Sequence, residues 1–340
     1  MSSENRTIEE ALSTIERSQR IKRILWLVGL LAIVALTYAG LQVLNFTLEQ
    51  FARQQDSFVA SIVDFVPPNF IELSLYTKTN EVEGLSGVVQ TILHPGTFAE
   101  TFTTEAGRNG TILGLSFITI VIGFTGTVLG FPLALVFGIL GSERVVPFPF
   151  NFVFRGTMST IRAIPALVWI LIYIPLAGIT PLSAMLAVAT DTIGNLGRLF
   201  TDELEEIDDG PIEAISSTGA DRTQIISFGM LSQVSTSFVA WTLYILEINT
   251  RIAISLGVYG AGGIGQYIDT RIALGAYSRA AAGIAMVIFI VLSVELLSSR
   301  IRARLRPGEH EGKGFVDSLR DLGNPKKWLG TGDTRTDSKN

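Results

Sequence analysis

Residues 211–224 read PIEAISSTGADRTQ and lie in a polar interruption between two long apolar segments. Pro211 suits the first position of a helix, where its missing N–H would have no partner in any case. Asp208 and Asp209 just ahead of it complement the positive end of the helix dipole. Gly219 can take the left-handed conformation that ends a helix, and Asp221 with Gln224 three residues on has the spacing of a capping box. The stretch therefore predicts helix, tight turn, helix. Ile212 and Ile215 share one face of the first helix at i and i+3. Two readings stay open for that face. Either the loop lies on a membrane surface, or it presents the two isoleucines as an apolar knob to a partner protein, each buried side chain contributing about 1.5–3 kcal/mol.

The segments around the loop are built for lipid. Of 340 residues 48% are hydrophobic and 17% charged, with a mean hydropathy of +0.42, too apolar for a soluble domain of this size. Cysteine is absent and histidine occurs twice, at His94 and His310, which excludes disulfides and thiolate metal sites and leaves little for imidazole chemistry. A net charge of -5 argues against a nucleic-acid partner. A spanning helix needs about 20 apolar residues. Six segments qualify: Ile24–Leu44, Thr111–Leu140, Phe150–Leu176, Ile179–Phe200, Gly229–Val258 and Ala280–Leu297. The first is too long for a signal peptide and lacks a cleavage pattern, so it reads as an anchor. The expected class is an all-α polytopic membrane protein.

Arg17, Arg20, Lys22 and Arg23 precede the first span and Arg300, Arg302, Arg304 and Arg306 follow the last, so both termini are expected in the cytoplasm of a cell membrane protein. This divides the chain into a cytoplasmic stretch 1–23, an anchor helix 24–44, an external segment 45–110, a transmembrane domain 111–300 with a cytoplasmic loop 201–228, and a tail 301–340. The external segment carries Arg53, Lys78 and Arg108 against eight acidic residues, and Asn45 and Asn109 head glycosylation sequons.

Arg162, Asp191, Glu247 and Arg251 are charges within the spans. At the bilayer centre each costs about 2.5–3.5 kcal/mol, so each should face a partner or water. Glu247 and Arg251 stand at i and i+4, in the order that favours an ion pair. They either neutralise each other or line a pathway. Pro165 can bend the helix beside Arg162 and open a cavity there, where the guanidinium would suit a passing oxyanion or pair with Asp191 or Glu247. Asn195 and Asn249 are expected to hydrogen-bond between helices. Gly260, Gly262 and Gly265 satisfy G-x-G-x-x-G, yet they follow a membrane helix rather than a strand. With Gly263 they are better read as glycines for a turn or gate.

Glu213-Ala214, Gly219 six residues after the glutamate, and Leu231 resemble the EAA loop of ABC importer permeases. Three positions depart from that pattern: Ile215 where a small residue stands, Gly229 where isoleucine stands and Ser232 where proline stands. TIGNLGRLFTDELEEIDDGPIEAISSTGADRTQ (192–224), WTLYILEINTRIAISLGVYGAGGIG (241–265) and IRAIPALVW (161–169) resemble the phosphonate permease branch, over roughly residues 110–300. Asp191 replaces a histidine of that branch, and Ala166 an acidic residue.

The resemblance implies a five-helix permease core after the anchor helix and a homodimer of this chain. It also implies a cytosolic ABC ATPase dimer, engaged through Ile212, Glu213, Ala214, Ile215, Gly219, Ala220 and Asp221, and an external substrate-binding protein. The implied cargo is a phosphonate or related phosphorus oxyanion, the alternative another small solute such as methionine. No G-x-x-x-x-G-K-[ST] occurs in the sequence, so ATP and Mg are expected on the partner, with no cofactor, metal or catalytic residue in this chain. A secondary transporter would show inverted repeats, and a membrane enzyme or receptor a catalytic constellation or folded external domain. The sequence offers none of these.

Overall fold

The computed structural model describes residues 2–305, with side chains from residue 18 onward except at 48, 50 and 51. His310 and the tail beyond Leu305 lie outside the described residues. The chain divides into two compact units, Met1–Asp64 and Phe65–Asn340. The first unit holds α1 (Ser2–Val43) and α2 (Leu48–Asp64). The apolar part of α1, Ser18–Val43, is long enough to span a bilayer.

The second unit opens with four short helices, α3 (Leu75–Thr79), α4 (Ser86–Leu93), α5 (Pro95–Thr103) and α6 (Glu105–Gly110). A bundle follows, made of α7 (Ile112–Gly141), α8 (Phe150–Ala163), α9 (Ala166–Ala177) and α10 (Pro181–Glu205). After α11 (Asp209–Ser216) and α12 (Arg222–Gln224) come α13 (Leu231–Leu256), α14 (Gly263–Ala273) and α15 (Tyr277–Leu305). Ile225–Met230 and Gly257–Ala261 are π-helical. The polytopic all-α class stands, and no strand occurs among the described residues.

The span expected at Phe150–Leu176 is two helices meeting at 90°. Pro165 is the cause. It has no N–H to continue the ladder, and its ring drives Ile164 to an extended conformation, φ -101° and ψ 114°. The Ile161 carbonyl at the break instead accepts from Ile164 N at 3.2 Å and from the Trp169 indole at 3.3 Å.

α7, α15 and the apolar part of α1 pass on length and apolarity singly. α10 and α13, of 25 and 26 residues, reach about 37–39 Å at 1.5 Å per residue, yet polar groups interrupt them. α10 can carry Asp191, Asn195 and Arg198 because α7, α8, α9 and α13 surround it. Small residues let it pack closely against α7. A Cβ at Gly126 would stand 2.6 Å from Val188 Cγ1, at Gly130 2.5 Å from the Ala189 carbonyl and at Gly138 2.7 Å from Phe200 Cβ. In lipid such close contact supplies the packing that drives association in water supplies elsewhere.

α7, about 45 Å long, separates two ends. At its N-terminal end Phe70, Leu73, Ile112, Ile264 and Tyr267 form a small core joining α7, α14 and the segment ahead of α3. Buried Glu72 accepts from the Tyr267 hydroxyl at 2.8 Å and from Arg271 at 2.6 Å there. At its C-terminal end Ala134, Leu196, Phe200, Leu204, Met230 and Phe238 pack beneath α11.

Candidate functional site

α11 starts two residues earlier than Pro211 predicts, at Asp209, so Pro211 occupies the third helical position. Its missing N–H still falls among the first four, which have no intrahelical acceptor. Gly219 ends the loop's first half at φ +82°. Asp221 and Gln224 close the capping box, with Gln224 N to Asp221 Oδ1 at 2.8 Å and Asp221 N to Gln224 Oε1 at 2.9 Å.

The two isoleucines are only partly exposed. Ile212 is half-buried and packs against the core beneath α11. Ile215 is half-buried too, and its Cδ1 lies 3.2 Å from where a Cβ on Gly229 would be. Ile215 sits beside the π-helical turn where Gly229 leaves room for it. Glu213, Ala214, Ser216, Ser217, Gly219 and Asp221 are exposed, and Ala220 is half-buried. Ile215 and Gly229, two departures from the EAA pattern, are thus in contact, a large residue filling the space a small one leaves. Ser232, the third, bonds to the Phe228 carbonyl.

The loop is tied to the bundle by charge. Arg144, just past α7, pairs with Asp209 at 2.7 Å, and Arg222 donates to the Val145 carbonyl at 2.9 Å. Arg155 on α8 pairs with Glu205 at the end of α10 and donates to the Gly141 carbonyl at 2.7 Å. Residues 142–149 therefore connect α11 and α12 to α8, whose far end carries Arg162.

The four charged candidates fall into two groups. Arg162 and Asp191 share a cavity of about 500 Å³ with Asn195, Arg198, Tyr244 and Asn249. Arg162 is exposed and donates to Asn195 Oδ1 at 3.2 Å, and Asn195 donates in turn to Asp191 Oδ2 at 2.9 Å. Among the described residues Arg162 makes no ion pair within 4.0 Å. Asn249 donates to Thr127 and Thr192, both at 2.8 Å, and so ties α13 to α7 and α10. Glu247 and Arg251 lie elsewhere. They pair at 2.6 Å, with Glu295 on α15 3.4 Å from Arg251 and Arg302 3.7 Å from Glu247. Neither lines the cavity. Sequence reasoning did not single out Arg198, Tyr244 or Glu295, and it read Arg302 only as a flanking base, because the placement of Tyr244 at the cavity and the pairing of Glu295 and Arg302 with α13 depend on how the helices pack.

The glycines Gly260, Gly262, Gly263 and Gly265 form the corner between α13 and α14. Gly260, Gly262 and Gly263 have φ of +84°, +87° and +77°. A Cβ on Gly265 would fall 1.9 Å from the Ile254 carbonyl. Thr119 on α7 accepts from Ile264 N at 2.9 Å and so holds the start of α14.

A bundle with a broken span, a polar cavity and a capped loop at one end is the fold of an ABC importer permease. It is similar to a chain of the MetNI methionine ABC transporter solved in inward-facing conformations, with a TM-score of 0.50 and 20% identity over 56% of this chain and 94% of that one. No family model matches the chain. It is 32% identical over 210 residues to the phosphate-import permease PhnE of Mycolicibacterium smegmatis, 60% of this chain and 40% of that one. To the protein named as phosphite transport system permease HtxC of Stutzerimonas stutzeri it is 30% identical over 187 residues, 55% and 65%. To the protein named as cryptic phosphonate transport system permease PhnE2 of Escherichia coli K12 it is 36% identical over 118 residues, 35% and 97%. The chain thus spans less than two thirds of the length of PhnE and HtxC. It belongs to the phosphonate and phosphite permease family of ABC transport systems.

Proposed function

We propose that this chain is the non-catalytic membrane subunit of an ATP-driven importer for a phosphonate or related phosphorus oxyanion. Two copies form the pathway, an external binding protein delivers the cargo, and two cytosolic ATPases drive the cycle. Both termini and α11 face the cytoplasm. ATP closes the ATPase dimer, α11 moves with it, and residues 142–149 carry the motion to α8 and the break at Pro165, so that the subunits open alternately to either side. Arg162 attracts the anion at the cavity, with Asn195 holding its guanidinium and Asp191 tempering its charge, while Arg198 is already paired with Asp202 at 3.0 Å. The chain supplies a docking element and a route, and the partner supplies the nucleotide chemistry.

The observation that carries this reading is α11, a short helix braced through Asp209 and followed by the capped α12, which is tied through Arg222, yet with Glu213 and Ala214 exposed, in a sequence without a P-loop. The test is co-expression with candidate ATPase and binding-protein partners, followed by ATP-driven uptake of labelled phosphonate, phosphite, phosphate and methionine into vesicles. Uptake of the phosphorus oxyanions that requires the ATPase is expected. Uptake without any ATPase overturns the mechanism, and uptake of methionine alone overturns the cargo. Gly219→Val places a β-branched residue at φ +82°, a strain of about 1–3 kcal/mol, and Glu213→Lys reverses a charge on the exposed face. Both variants should stay in the membrane while ATP hydrolysis continues without transport. Full transport in both would remove the loop from the coupling role.

A further inference from the structure

We infer that α2 is an interfacial helix, lying along the membrane surface with its apolar side in the lipid. With 100° between successive residues, Ala52, Phe58, Val59, Ile62 and Val63 fall within an arc of about 140° that also contains Gln55. Arg53, Asp56, Ser57, Ser61 and Asp64 lie outside it. Phe58, Val59, Ile62 and Val63 are 65%, 57%, 48% and 62% exposed, and none of the described side chains of α1 or α2 is buried. Half-exposed apolar side chains clustered on one face need a cover.

The connection to α1 says what the cover is. α1 carries the membrane-spanning stretch Ser18–Val43 and ends in a tight cap, with Asn45 at φ +53° and Phe46 N bonded to the Leu41 carbonyl at 2.9 Å. Only residues 44–47 separate the two helices. Four residues reach about 14 Å even when fully extended, and here the cap folds part of that length back. Residues 44–46 are bonded back onto the last turn of α1, so α2 starts within a few ångströms of the end of the span, a distance comparable to the headgroup layer of about 5–8 Å. A helix held at that depth with an apolar stripe and a polar back matches the surface-lying class. The polar side carries Glu49, Asp56 and Asp64 against Arg53, so the attraction is to the acyl boundary and not to anionic headgroups.

The absence of cysteine allows single labels without a background. Phe58→Cys, Ile62→Cys, Ser57→Cys and Ser61→Cys, made in the full chain, would each carry a nitroxide in vesicles of phosphatidylcholine alone. Collision with oxygen, which concentrates in lipid, is compared with collision with a water-soluble nickel chelate. An oxygen-to-nickel ratio several-fold higher at 58 and 62 than at 57 and 61 is expected, unchanged on adding phosphatidylglycerol. Equal access of the nickel chelate to all four sites would place the helix in water and overturn the inference. Low access of both reagents at 58 and 62 would also overturn it, assigning the face to a second copy or another protein.

Discussion

Two groups of charged side chains sit within apolar helices, and they differ in how their charges are met. Glu247, 9% exposed at its side chain, is enclosed by Arg251 and Arg302, and Glu295 balances Arg251. Two acids and two bases on α13 and α15 form a closed set. Arg162 and Asp191 are joined instead through the neutral amide of Asn195, at the edge of a cavity, with the guanidinium exposed. That set is open. A closed network neutralises itself and pins helices, whereas an open one leaves field strength for a ligand that comes and goes. Charge inside a membrane span is therefore not one signal, and it is the partner count that sorts structure from traffic.

The contrast breaks most visibly at Glu247. Glu247→Ala takes the buried acid from beside Arg302, while half-exposed Arg251 keeps Glu295, and removing a partner of this kind costs about 1–3 kcal/mol. Purified in detergent, the variant should show a sharply lower Tm and poor yield. Normal stability with lost transport would move Glu247 into the pathway and dissolve the distinction. Arg162→Ala should do the reverse, abolishing uptake with assembly and Tm nearly unchanged, because the exposed guanidinium holds only Asn195. A failure to assemble would make it a structural group. Arg162→Lys is the milder probe, since lysine keeps the charge and loses the planar fork. Partial uptake, raised in KM more than lowered in maximal rate, is expected. Full activity would reduce the role of Arg162 to bare charge.

The sequence-to-structure comparison runs along the same divide. Whatever depends on neighbours in the chain was legible: the caps at Asp221 and Gly219, the break at Pro165, and the i, i+4 pair at Glu247 and Arg251. The 90° angle at Pro165 was not, because a proline forbids a straight helix without choosing a direction. Nor was the split between the two charged groups, which depends on how α10 and α13 are rotated about their axes. Asn195 read as a packing residue for that reason, since its bridge from Asp191 to Arg162 needs α8 placed against α10. The direction of Ile212 and Ile215 stayed open in the same way. Their shared face is local, but the space Ile215 takes depends on Gly229, which lies fourteen residues beyond it.

That last pair carries the contrast between closed and open contacts into α11. Ile215 is the closed element, seated in the notch at Gly229, and Glu213 the open one, exposed on the outer face of α11. Ile215→Ala should loosen α11 from the bundle by roughly 2 kcal/mol or less, since the side chain is only half-buried. The expected signature is faster amide exchange over Asp209–Ser216 and a modest loss of transport per ATP hydrolysed. Gly229→Ile alone should be worse, because its side chain meets Ile215 in place. Combined, Ile215→Ala and Gly229→Ile exchange the large and small partners and restore the EAA arrangement, so the double variant should recover most of the coupling that either change loses. Additive losses in the double variant would mean that the two residues do not share a space, and that α11 is held by Arg144 and Arg222 alone.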